Sequence, residues 1–226
     1  MEKKKKVFYS ELAYVFGIIF LALGTAFMER ADFGMSMVVA PAYVLHLKIS
    51  QVLPFFTFGM AEYTFQALVL VLMVIVIRRF RWSYLLSFVT AVVYGFTLDG
   101  CIWLVAQIEW EGFAPRIVFY VAGMIVCALG VALFFRSYIP PGAYELFVKE
   151  VSARFNRNIN RVKTVYDCSS CVLAVVLSFV FFGFGTFEGV KLGTVFCALV
   201  NGSLIGLVSK ILDRFFEFKK GIDKAK

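Results

Sequence analysis

Histidine is nearly absent: His46 is the only one in 226 residues. No Walker, HExxH, GxSxG or GxGxxG pattern occurs, so the chain gives no basis for ATP-driven transport by itself, zinc proteolysis or α/β-hydrolase chemistry. Charge is scarce, at 17% of residues. No Lys or Arg falls at the centre of an apolar run. Cysteines number five, Cys101, Cys127, Cys168, Cys171 and Cys197, all within apolar stretches. An odd, buried set does not form a secreted disulfide framework. Nothing reads as a soluble catalytic domain, so the expectation is a non-enzyme without a cofactor.

What is abundant is hydrocarbon. Hydrophobic residues make up 61% of the chain and aromatic residues 18%, with 27 Phe; soluble domains are typically about 45–50% apolar. A bilayer-crossing helix needs about 20 mostly apolar residues. Six runs qualify: Leu12–Met28, Leu53–Ile77, Ser83–Ala106, Ile117–Phe135, Thr164–Phe184 and Leu192–Leu212. The basic start Met1–Lys6 resembles a signal peptide, but no small-residue cleavage site follows, so the first run reads as a retained span. Two shorter segments, Phe33–Leu47 with Pro41 and the amphipathic Tyr138–Phe155, suit re-entrant or interfacial helices. The predicted fold is all-α integral membrane, with residues 12–107 and 117–213 as two three-span halves. Residues 1–11 and 214–226 are basic end segments.

The net charge of +8 does not point to nucleic acid, because the basic residues sit at the ends of apolar runs. With six crossings and a cytoplasmic N-terminus, 19 of the 23 Lys and Arg fall on the cytoplasmic side. Only Arg30, Lys48, Arg116 and Lys191 remain outside. The positive-inside rule therefore places both termini in the cytoplasm. The expected partners are the lipid bilayer and a small-molecule or ionic substrate, and a homo-oligomer is compatible with the sequence.

The halves repeat. Gly17–Arg30 (GIIFLALGTAFMER) and Gly123–Arg136 (GMIVCALGVALFFR) share seven of 14 positions. Leu85, Ala91, Val93 and Gly95 match Leu192, Ala198, Val200 and Gly202 at a similar offset. Three crossings per copy is an odd number, so the copies face opposite ways. Inverted repeats are a transporter signature, with a site near the midplane where the halves meet.

The Ala-Leu-Gly…Arg element and the short segment after it, with Pro141-Gly142-Ala143-Tyr144-Glu145-Leu146 through Asn160-Arg161-Val162-Lys163 to Tyr166-Asp167, resemble the YczE/YyaS/YitT-type bacterial integral membrane proteins. Leu192-Gly193-Thr194…Ala198-Leu199-Val200-Asn201-Gly202 adds to the likeness. Pro140-Pro141-Gly142 departs from the glycine-richer family pattern. The resemblance implies a multi-pass protein of the bacterial plasma membrane with six helices. It implies no substrate.

Intramembrane acids are the best functional pointers, because each is costly at depth. Glu62 lies nine residues beyond Leu53, about 13–14 Å into a helix starting there. Desolvation disfavours its charged form, which suits a proton or cation site. Asp167 in the fifth span and Asp99 toward the outer end of the third are further candidates. For Asp99, nearer the interface, a solvated or helix-capping acid is the plainer reading. Glu62-Tyr63 and Tyr166-Asp167 fall at matching places in the two halves, and Asn201 joins them as a candidate polar ligand. Arg30 and Arg136 end matched helices just before the short segments, where an anion would suit them; snorkelling to the interface is the plainer reading. Cys168-Ser169-Ser170-Cys171 is a CxxC that reads as a small-residue packing face, with thiol or metal chemistry as the alternative. The sequence thus favours a small-solute permease, ion-coupled or facilitative. Its rivals are a non-transport membrane subunit that binds a partner and a thiol or metal protein using Cys168 and Cys171.

Overall fold

A computed structural model describes residues 6–110 and 112–221. Of the basic residues counted above, Lys3, Lys4, Lys5, Lys224 and Lys226 lie outside the described residues. Among the described residues, six helices are long and apolar enough to cross a membrane: α1 (Ser10–Ala31), α3 (Phe58–Ile77), α4 (Ser83–Ala106), α5 (Phe113–Phe134), α7 (Ile159–Phe182) and α8 (Leu192–Phe215). Two shorter helices, α2 (Ala40–Ile49) and α6 (Ala143–Phe155), occupy the expected short segments.

One helix start differs from expectation. The apolar run beginning at Leu53 is helical only from Phe58. Pro54 lies in the preceding loop, and Thr57 caps the helix by accepting from Met60 N at 3.1 Å. Hydropathy alone does not register a cap. The ends also pair: β1 (Lys6–Tyr9) runs parallel to β2 (Phe216–Lys219). Both strands flank spans, so an even number of crossings separates them.

Side-chain contacts fix the direction of each helix. At the end holding the strands, Ser10 donates to Arg136 O (3.1 Å), and Glu11 accepts from Tyr138 (2.8 Å) and from Gly221 N (3.0 Å). Arg81 and Tyr84 reach Glu150 of α6 there, at 3.4 and 3.0 Å. At the far end, Asp32 pairs with Lys191 (2.5 Å) and Arg116 (3.1 Å). Lys48 of α2 donates to Phe181 O at the close of α7 (3.2 Å), and His46 meets Phe56 O before α3 (3.0 Å). The two short helices are therefore re-entrant. The chain leaves α1 at the far end, turns inward, and α2 returns outward. After α5 it turns inward from the strand end, and α6 returns there.

The central seam is α1 against α5. Gly17 and Gly24 of α1 face Gly130 and Gly123 of α5 in antiparallel order: an added Cβ on Gly24 would stand 2.7 Å from Gly123 O, and one on Gly130 2.9 Å from Gly17 O. Ala13, Ala22, Ala26, Ala128 and Ala132 are fully buried on these two helices. Small residues let membrane helices approach closely, where dispersion rather than water exclusion holds them. Around the seam, α4 packs on α1 and α8 on α5, while α6 packs on α3 and α2 on α7. Among the described residues some pairings lack an equal counterpart, the clearest being α3 with α4. α3 and α4 pack closely, with Gly59 and Gly95 in mutual backbone contact, whereas α7 and α8 barely touch.

Candidate functional site

A cavity of about 90 Å³ lies at mid-height between α1, α4, α5 and α8. Its polar lining comes from Thr25, Gln66, Thr90, Tyr94, Lys163 and Asn201. The entries to both re-entrant helices, Ser36 to Val39 before α2 and Gly142 to Glu145 at α6, close it from opposite ends. Helix N-termini carry unpaired N–H donors and a positive partial charge. Here two of them turn toward one small space, beside the Lys163 ammonium and the Glu145 carboxyl. Burial holds the partly exposed Glu145 carboxyl above its ordinary value, with Lys163 and the residue's own backbone N–H opposing.

Glu62 stands one layer behind this lining. Because α3 starts at Phe58, it lies only about 6 Å along its helix, a turn before Gln66. It is fully buried. Its Oε2 accepts from Tyr144 Oη (3.0 Å) and Gln66 Nε2 (3.2 Å), while Oε1 has no hydrogen-bond partner among the described residues. Gln66 in turn accepts the Ala143 N–H through Oε1 at 3.0 Å, which caps the start of α6. The carboxyl is thereby connected to both cavity-lining groups that hold the second re-entrant helix. Buried unsatisfied polar atoms are few in native proteins, and such an atom asks for an explanation.

The other candidates separate. Asn201 lines the cavity. Asp167 forms an ion pair with Lys163 one turn earlier, at 3.3 Å, so this acid has a basic partner where none was expected at depth. Tyr166 packs on Tyr144 and Phe147 of α6, while Tyr63 packs on Phe96 of α4, so the matched tyrosines face different helices. Asp99 caps α3: it accepts from Thr57 Oγ1 at 2.6 Å and Gly59 N at 2.8 Å. Arg30 donates to Ile108 O beyond α4 (3.2 Å). Arg136 ties α5 to α8 through Ser209 O (2.7 Å) and Asp213 (2.8 Å). Both arginines thus close one span onto the last span of their own half and do not reach the cavity. Cys168 is exposed and Cys171 partly buried, both as free thiols.

Sequence reasoning left Gln66, Tyr144, Thr90 and Ser36 out of the site. Gln66 had a signal, since it sits four residues after Glu62 on the same helix face. Tyr144 and Ser36 come in through the two short segments, whose length suited re-entrant helices without showing which of their side chains meet the cavity.

Fold and cavity together define a multi-pass α-helical membrane protein with two re-entrant half-helices. The chain belongs to the Family of unknown function (DUF6198), whose profile matches residues 8–210. No curated protein and no solved structure matches it.

Proposed function

We propose that this protein is a small-solute permease built from two inverted-topology repeats, α1–α4 and α5–α8. The observation that carries the reading is the pair of half-helices entering from opposite ends and opening onto one polar cavity at mid-height. Broken or half helices whose N-termini meet near the midplane are how secondary transporters build solute sites. The reciprocal glycine contacts and mirrored helix pairings suit a pseudo-twofold axis in the membrane plane. The gap between α7 and α8, where α3 and α4 are closed, suits one half open while the other is sealed.

In this reading Asn201, Ser36, Thr90 and Lys163 contact the solute, and Glu62 takes up a proton or small cation. Its charge state changes how firmly Tyr144 and Gln66 hold the entry to α6. The bacterial plasma membrane, cytoplasmic termini and kinship with YczE/YyaS/YitT-type proteins belong to the same proposal, supported by the distribution of basic residues and the quoted motifs. Two re-entrant helices around a polar space favour this reading over a non-transport subunit. The test is flux. Proteoliposomes loaded with a pH-sensitive dye and challenged with a panel of small amino acids, carboxylates and inorganic ions are expected to show saturable, protein-dependent movement for at least one class. A panel that moves no faster than in protein-free vesicles counts against the permease.

A further inference from the structure

A second concave site lies away from the cavity, between α3, α6 and α7. Its wall is apolar over most of its length, with Phe65, Val69 and Leu72 of α3 facing Val165 and Leu173 of α7, and it encloses about 760 Å³. At one end, on the face that carries both chain termini, the wall becomes polar with Arg157 and Arg161. Asn156 ends α6 with φ 49°, and this left-handed turn sets Arg157 at the rim. Both arginines are exposed, and among the described residues neither pairs with an acid. Phe155 and Ile159 beside them are half exposed, at 53% and 50%. Apolar side chains flanking arginines at a helix turn suit the boundary between headgroups and acyl chains.

We infer that this groove binds one anionic phospholipid, its phosphate on Arg157 and Arg161 and an acyl chain along α7. The dimensions agree: Arg161 to Leu173 spans about 18 Å of helix, comparable with the roughly 15 Å depth of one hydrocarbon leaflet. Guanidinium groups match phosphate geometry with paired donors. Basic pockets between spans on the cytoplasmic side are where anionic headgroups bind. A zwitterionic lipid such as phosphatidylcholine fills the apolar track equally well and also presents a phosphate, but its choline cation offsets that charge and weakens the net attraction to the two arginines. The site is therefore selective by headgroup rather than by chain. Its occupant bridges α3 and α7, helices that the fold otherwise joins through the short helices α2 and α6.

Native mass spectrometry of the detergent-solubilised full chain tests this with phosphatidylglycerol and phosphatidylcholine of identical chains. The wild type is expected to favour phosphatidylglycerol by about 10- to 30-fold for two basic groups. Arg157→Gln/Arg161→Gln is expected to bring the two lipids near parity. The paired control Arg78→Gln/Arg79→Gln, exposed on the same face outside the groove, retains the preference. Glycerol phosphate, the headgroup without chains, is expected not to displace the bound lipid. Equal binding of both lipids by the wild type, a preference that survives in the Arg157/Arg161 variant, or displacement by glycerol phosphate each overturns the assignment. So does a lipid-free dimer as the dominant species, because a second copy would then cover the groove.

Discussion

Glu62→Gln is expected to reduce gradient-driven accumulation to the level of protein-free vesicles while leaving the fold and solute exchange in place. The geometry accounts for both halves of that result. The Gln carbonyl takes the position of Oε2 and still accepts from Tyr144 and Gln66, while its amide occupies the place of the unpartnered Oε1. Shape and two hydrogen bonds survive, and only the exchangeable proton or cation is lost. Glu62→Leu separates the structural from the coupling role. It removes the acceptor for both donors at once, and each donor left unsatisfied costs about 1–3 kcal/mol. The Leu variant is therefore expected to melt earlier, and the Gln variant to melt with the wild type in a thermal unfolding assay. A Gln variant that concentrates solute normally would make Glu62 a structural residue and remove the coupling role.

The second large effect lies in the α1–α5 seam. Gly24→Val places a branched side chain where even a Cβ would stand 2.5 Å from Cys127 Sγ, 2.6 Å from Cys127 N and 2.7 Å from Gly123 O. Two of those neighbours are backbone, so no rotamer change relieves them. Overpacking typically costs about 1–3 kcal/mol and occasionally more, and this site belongs at the upper end. The expected readout is loss of the monodisperse size-exclusion peak. Gly202→Val is the matched control, because a Cβ there meets nothing within 4 Å among the described residues, and it is expected to purify as the wild type does. A Gly24→Val protein as stable as its Gly202→Val counterpart would contradict the close antiparallel approach.

The six spans and two short helices were legible because length and hydropathy carry that information directly. The glycines of the repeated segment were legible as a repeat, but their reciprocal contact was not. The odd number of crossings per half already implied that α1 and α5 run in opposite directions, but that they pack on each other is a tertiary property. The start of α3 was placed too early because Leu53, Phe55 and Phe56 continue the apolar run through a loop. Thr57 as a cap after Pro54 was the readable correction. Strands β1 and β2 pair residues from opposite ends of the chain, which no local window contains. Within the site, Glu62 and Asn201 could be found as polar groups in apolar runs. The reach of Tyr144 to Glu62 could not, because it needs α6 to begin inside the protein. Arg30 and Arg136 precede the re-entrant segments, which left an anion site beside the plainer reading of arginines at helix ends; the carbonyls beyond α4 and along α8 reveal them as ties between helices.

Two-sided access to the cavity is the central claim, and it can be measured without knowing the solute. Ser36→Cys and Asn201→Cys, each introduced into a chain whose five native cysteines are replaced, put one thiol on the cavity wall. A membrane-impermeant maleimide is then applied to right-side-out and inside-out vesicles separately. An alternating permease is expected to label both positions from both sides, with Glu109→Cys and Arg79→Cys labelling from opposite single sides as controls. Labelling of Ser36→Cys and Asn201→Cys from one side only, or from neither, would contradict a cavity that opens in turn to each face.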